Sequence, residues 1–145
     1  MITRALSKSD YDQIVETIDR WVRGPTTALA LPVFYYELGE FARVVEHEGQ
    51  LIGFLFGFVT GSNPPVGYVH LIGISPEHRR HGVARRLYDS FEDSCRGSGC
   101  TTLKAISTIG NEVSERFHAA MGWQAQVVEN YAGPGRNRVV FTKQL

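Results

Sequence analysis

The stretch YVHLIGISPEHRRHGVARRLYDSFED, Tyr68 to Asp93, passes from an alternating run through a proline into a segment with helical spacing. Alternation sets Tyr68, His70, Ile72 and Ile74 on one face of a strand and Val69, Leu71 and Gly73 on the other. Pro76 ends the strand, and Val83, Ala84, Leu87, Tyr88 and Phe91 recur at the spacing of a helix face. Arg79, Arg80, His81, Arg85 and Arg86 gather where that helix begins, and acids gather where it ends. A helix dipole favours the opposite arrangement, by about 0.3–1 kcal/mol per charge. The first turn of a helix that follows a strand directly also offers several unpaired N–H groups to an anion. Gly82 and Ala84 leave room for close approach, so the pattern predicts a phosphate or pyrophosphate site; the alternative is a solvated basic face.

Two familiar nucleotide motifs are absent. There is no Gly-x4-Gly-Lys-Ser/Thr loop, and Gly82 stands alone after a strand meander instead of in a Gly-x-Gly-x-x-Gly turn.

Outward from this stretch, the pattern alternates in type. Ile2 to Leu6 reads as a strand, and Ser7 to Val22 as a helix that Ser7 or Ser9 can cap. Val33 to Glu40 reads as a short second helix, followed by a hairpin turning at Glu48 to Gln50. After the basic helix come a strand in GCTTLKAIST, a helix in NEVSERFHAAMGW ended by Gly122, and two strands in WQAQVVENYAG and NRVVFTKQL. The predicted order is β-α-α-β-β-β-α-β-α-β-β, a mixed α/β sheet fold in one domain spanning residues 1–145.

The 15 basic and 15 acidic residues cancel, which argues against a general attraction to nucleic acid or anionic membranes. The start of the chain has no signal-peptide pattern, and its apolar runs fall short of the ~20 residues of a membrane span. A cytoplasmic protein is expected. Cys95 and Cys100 match no metal-ligand spacing and are expected to stay reduced; no metal site is predicted.

RRHGVA, Arg79 to Ala84, resembles the Gln/Arg-x-x-Gly-x-Gly/Ala motif of the GNAT superfamily of acyl-CoA-dependent N-acyltransferases, and NEVSERFHAAMGW resembles that family's next motif. DRWVRG and AGPGRNRVVF are similar to segments of a subgroup of small bacterial members. The resemblance implies the GNAT fold, acetyl-CoA as acyl donor, and transfer of acetyl to a primary amine of a small molecule, peptide or protein by direct attack in a ternary complex. It implies that Arg79, Arg80, His81, Gly82, Val83, Ala84 and Arg85 hold the CoA pyrophosphate. Ile72, Gly73 and Ile74 would pair with the pantetheine arm where a bulge splays the strand, and Asn111 would contact that arm or position a water. Where many members carry a tyrosine general acid this chain has His118, a proton donor, a CoA contact or a satisfied helix residue. Where members often carry a strand glutamate it has His70, a candidate base or a hydrogen-bonded core histidine. Trp21, Arg23, Tyr35, Tyr36 and Tyr131 fall in segments that wall the family's acceptor cleft. A homodimer pairing C-terminal strands is compatible with this pattern. The contrasting function is a non-catalytic acyl-CoA sensor, in keeping with the missing tyrosine and glutamate.

Overall fold

In the computed structural model, residues 1–22 and 26–145 are described. Strand β1 (Ile2–Ala5) leads into helix α1 (Lys8–Trp21), whose start is closed by a capping box. The Ser7 hydroxyl accepts from the Asp10 N–H at 3.1 Å, and the Asp10 carboxylate accepts from the Ser7 N–H at 2.8 Å. The Arg4 guanidinium donates to the same carboxylate at 2.6 Å, fixing β1 to the helix. A four-residue helix, α2 (Val33–Tyr36), buries Phe34 and precedes the hairpin β2 (Arg43–His47) and β3 (Gln50–Val59). Its turn has both central residues, Glu48 and Gly49, at positive φ of 52° and 77°, the geometry that matches strand twist.

Next come β4 (Val66–Ile74), α3 (Val83–Gly97), β5 (Thr102–Thr108), α4 (Glu112–Ala120), β6 (Gln124–Val128) and β7 (Arg138–Gln144). The seven strands form one sheet in the order β1-β2-β3-β4-β5-β7-β6. Every neighbouring pair is antiparallel except β4 and β5. Tyr11, Ile14 and Ile18 of α1 and Phe34 of α2 cover one face through Val44, Phe54, Phe56 and Leu71. Val83, Leu87 and Phe91 of α3 cover the other, with Met121 and Trp123 after α4. Helix α3 lies flush on the sheet because β3 and β4 carry glycine beneath it. A Cβ at Gly57 would stand 2.6 Å from the Phe91 ring, and one at Gly67 2.4 Å from the Cys95 sulfur.

Two features extend or correct the sequence reading. Strand β7 lies inside the sheet between β5 and β6, leaving β1 and β6 as edges. The burial patterns accord with it: Val139 and Phe141 of β7 are buried, whereas QAQVV of β6 is largely exposed, Val127 included. A dimer that pairs C-terminal strands would therefore run through β6. The second difference is in β4. Phe56 pairs with Leu71 and Gly57 with Val69, so His70 is an extra residue that interrupts the alternation. Val69 and Ile72 both pack toward α3, while Leu71 joins the α1 side. His70 thus does not share a face with Ile72 and Ile74.

Candidate functional site

Helices α1 and α4 begin with side-chain caps, from Ser7 and from Asn111, but α3 has none. Its first position is preceded by Gly82 at φ 77°, with no atom of the described residues within 4 Å of where a Cβ would stand. The amides of Val83, Ala84 and Arg85 find no acceptor among the described residues. Arg80, itself at φ 66°, and Arg85 are exposed there and form no ion pair among the described residues, and no acid occupies the first turn. Arg79 is committed elsewhere, its guanidinium donating to the Trp21 carbonyl at the end of α1. An uncapped, acid-free helix start with open space over a glycine fits a pyrophosphate group.

The strand that feeds this turn is open along one edge. β4 pairs with β5 only from Val66–Thr102 to Val69–Ala105, although β5 continues along β7 as far as Thr108. Beyond the His70 bulge the two strands diverge. The Ser75 N–H donates to Ile52 of β3 at 2.8 Å, so by ladder alternation Gly73 and Leu71 also face β3. The backbone groups of Ile72 and Ile74 consequently face the gap, without a partner among the described residues, next to the start of α3. This edge fits the amide groups of an extended arm that needs strand-like partners. The missing Cβ of Gly73 serves packing, since one there would stand 2.4 Å from the Phe54 ring.

On the α1 and α2 side of the gap lies an aromatic surface. His70 stacks on Phe34 with centroids 4.3 Å apart, and its Nε2–H donates to the Leu29 carbonyl at 2.9 Å. That bond leaves Nδ1 as the lone-pair nitrogen. Burial lowers the His70 pKa below its ordinary value, opposed by the bond to Leu29, so the ring is neutral at pH 7. Tyr68 stacks on Phe58 at 5.1 Å, and Lys104 of β5 stands directly opposite Tyr68 in register. The Lys104 ammonium lies 5.0 Å from the centre of the Tyr131 ring, which comes from the loop between β6 and β7.

Residues 10–123 match the Acetyltransferase (GNAT) family. The chain belongs to that family. Aminoglycoside N(6')-acetyltransferase type 1 of Acinetobacter haemolyticus is 33% identical over 70 residues, 48% of this chain and 48% of that protein. The aligned region thus spans about half the length of the curated relatives it matches. Among solved structures, Naa20 of Chaetomium thermophilum in complex with a bisubstrate analogue superposes with a TM-score of 0.81 at 18% identity, over 100% of this chain and 87% of that one. The yncA protein of Salmonella typhimurium with its cofactor acetyl-CoA gives 0.76 at 18% identity, over 99% and 93%. At such identities the likeness is one of fold. No helix among the described residues is long and apolar enough to cross a membrane.

Within this GNAT domain the expected site residues separate into groups. Ile72, Ile74 and Gly82 to Arg85 meet at the gap, and His70 and Tyr131 lie on its α1 and α2 side. Trp21 packs on Phe54 at 6.4 Å, beside Gly73. Arg23 lies outside the described residues. Tyr35 and Tyr36 line a depression with Leu6, Glu37, Gly39 and Glu40. The Asn111 side-chain oxygen, Oδ1, caps α4 by accepting from the Ser114 N–H at 3.2 Å.

His118 is only 5% exposed. Its Nδ1–H donates to the Ser114 carbonyl at 2.8 Å, and its Nε2 accepts from the Tyr88 hydroxyl at 2.9 Å. The ring stacks on Phe141 at 4.1 Å. Burial lowers its pKa despite the bond to Ser114, and burial pushes that of Tyr88 up. A donor to a leaving thiolate has to reach the sulfur, and both nitrogens here are already engaged inside the protein. This is the geometry of the satisfied helix residue. Sequence reasoning passed over Tyr68 and Lys104; the register of β4 on β5, a non-local pairing, is what brings them to the cleft.

Proposed function

We propose that this GNAT domain transfers an acetyl group from acetyl-CoA to a primary amine. The observation that carries the reading is the coincidence, within one connection of the chain, of an unpaired strand edge and an uncapped helix start. The amides of Val83 to Arg85, with the Arg80 and Arg85 side chains, would hold the pyrophosphate. The backbone of Ile72 and Ile74 would hold the pantetheine arm, with an N–H of that edge directed at the thioester oxygen, where negative charge develops. Bound acetyl-CoA supplies an electrophilic acetyl carbon and a thiol of ordinary pKa about 8.5, a leaving group that makes little demand on a proton donor.

The acceptor approaches from the side of His70, Tyr68 and Tyr131. An alkylamine of pKa about 10.4 arrives protonated, and His70 Nδ1, lone pair free, accepts its proton directly or through water. His118 ties α4 to the core by its hydrogen bond with Tyr88 of α3 and its stacking on Phe141, while its bond to Ser114 stays within α4.

A second reading, an acyl-CoA-binding module without turnover, draws support from the inward turn of His118, which takes the family's acid position away from the chemistry. Release of CoA thiol over a panel of amines separates the two. Acetyl transfer predicts amine-dependent release that slows in His70→Ala, with the acetyl-CoA-induced rise in Tm retained. A rise in Tm without release from any amine favours the binding module, and no rise at all removes both.

A further inference from the structure

We propose that the amine acceptor carries a carboxylate, and that Lys104 is the residue that selects it. The inference rests on the acetyl-transfer reading above and assigns its acceptor class.

The charge distribution over the sheet motivates it. Strands β3 to β7 contain no aspartate or glutamate, but they carry three cations, Lys104, Arg138 and Lys143. Lys143 faces α3, where its ammonium pairs with Glu92 at 2.9 Å. Lys104 and Arg138 alternate with Leu103, Ala105 and Val139, which pack toward α3, so both cations face the opposite side. That is the side of His70, Tyr68 and Tyr131. Neither cation has a carboxylate within ion-pair distance among the described residues.

Their placement follows the gap. Lys104 stands opposite Tyr68, one residue before the last paired position, and therefore at the apex where β4 and β5 begin to part. Arg138 pairs with Thr108 at the far end of β5, roughly 13 Å along the strand from Lys104. The Tyr131 ring covers the Lys104 ammonium on one side, which limits the directions from which a counter-ion can approach.

A strand surface with two uncompensated cations and no acid repels a polycation and attracts an anion. The reacting amine must lose its proton, and a neighbouring cation favours the neutral form of an amine. Lys104 binds the carboxylate, and the pairing cancels the hold that an acceptor's own carboxylate would otherwise exert on its ammonium proton, leaving His70 to accept that proton. Lys104 acts on the acceptor's anionic group and leaves the cofactor edge untouched.

The experiment measures kcat/KM by CoA thiol release for glycine, β-alanine and γ-aminobutyrate, each beside its carboxamide, with kanamycin as a polycationic comparison. The expected result is a preference for the carboxylate of roughly tenfold or more in at least one pair, and no preference for kanamycin. In Lys104→Gln that ratio falls toward unity, while the rise in Tm with acetyl-CoA persists. Turnover of carboxamides or kanamycin equal to or above the carboxylates overturns the proposal, as does a preference that survives Lys104→Gln. Release from no amine at all is a different result: it removes the acetyl-transfer reading, and this inference with it.

Discussion

At the scale of the residue, His118 shows how a motif position and a chemical role come apart. Its place in the family pattern is legible four residues before Gly122, but its orientation is decided by Tyr88 of α3 and Phe141 of β7, distant in sequence. With Nδ1–H bound to Ser114, Nε2 is an acceptor and the Tyr88 hydroxyl its donor. Tyr88→Phe leaves that buried nitrogen unpaired, at a cost of about 1–3 kcal/mol, read as a Tm lower by several degrees. The same burial gives a signature in pH. His118 has a folded pKa below its ordinary 6.5, so below that value the unfolded chain binds a proton that the folded chain refuses. Stability is therefore complete above about pH 6.5 and falls as the pH is lowered toward the folded pKa. His70 is shifted the same way and adds to the slope, so the comparison needs His118→Asn, whose melting temperature declines less steeply between about pH 7 and pH 5. Equal slopes in the two proteins would contradict the buried, neutral ring.

At the scale of the element, the bulge at His70 and the start of α3 carry the site. The alternation of YVHLIGI predicts one continuous strand, and that is what it forms. The family resemblance implied a bulge in this strand, but its place at His70 was not readable, because that is a property of pairing with β3 and not of β4 alone. It turns Ile72 and Ile74 toward α3 and marks the point where β5 departs. The basic helix start was readable, because Gly82 and the reversed charge pattern are local features. Gly82→Val tests it: a β-branched residue at φ 77° costs about 1–2 kcal/mol and displaces the first amides of α3. The expected outcome is a melting temperature a few degrees lower and loss of the acetyl-CoA-induced rise. A full ligand-induced rise in this variant would take the pyrophosphate away from α3.

At the scale of the whole molecule, one sheet separates two tasks. The α3 side holds a dense core and the helix start, and among the described residues the cluster under α1 and α2 reaches β2 to β4 and includes no residue of β5 to β7, where Lys104 and Arg138 stand. The order of elements was legible from periodicity throughout the described residues. The insertion of β7 between β5 and β6 was not, because strand order depends on which of two neighbouring strands buries better, and only the exposure of Gln124 and Gln126 against the burial of Val139 and Phe141 settles it. The acceptor side was the least legible for the same reason, since Tyr68 meets Lys104 only through the register of β4 on β5.

The most direct measurement of the central claim is to follow backbone amide resonances of the protein while acetyl-CoA is added. The account predicts the largest changes at Ile72, Ile74 and Val83 to Arg85, smaller changes at His70 and Tyr68, and an undisturbed Tyr88–His118 pair. Saturable binding that leaves those amides unmoved, or moves chiefly the depression around Tyr35 and Tyr36, would contradict it.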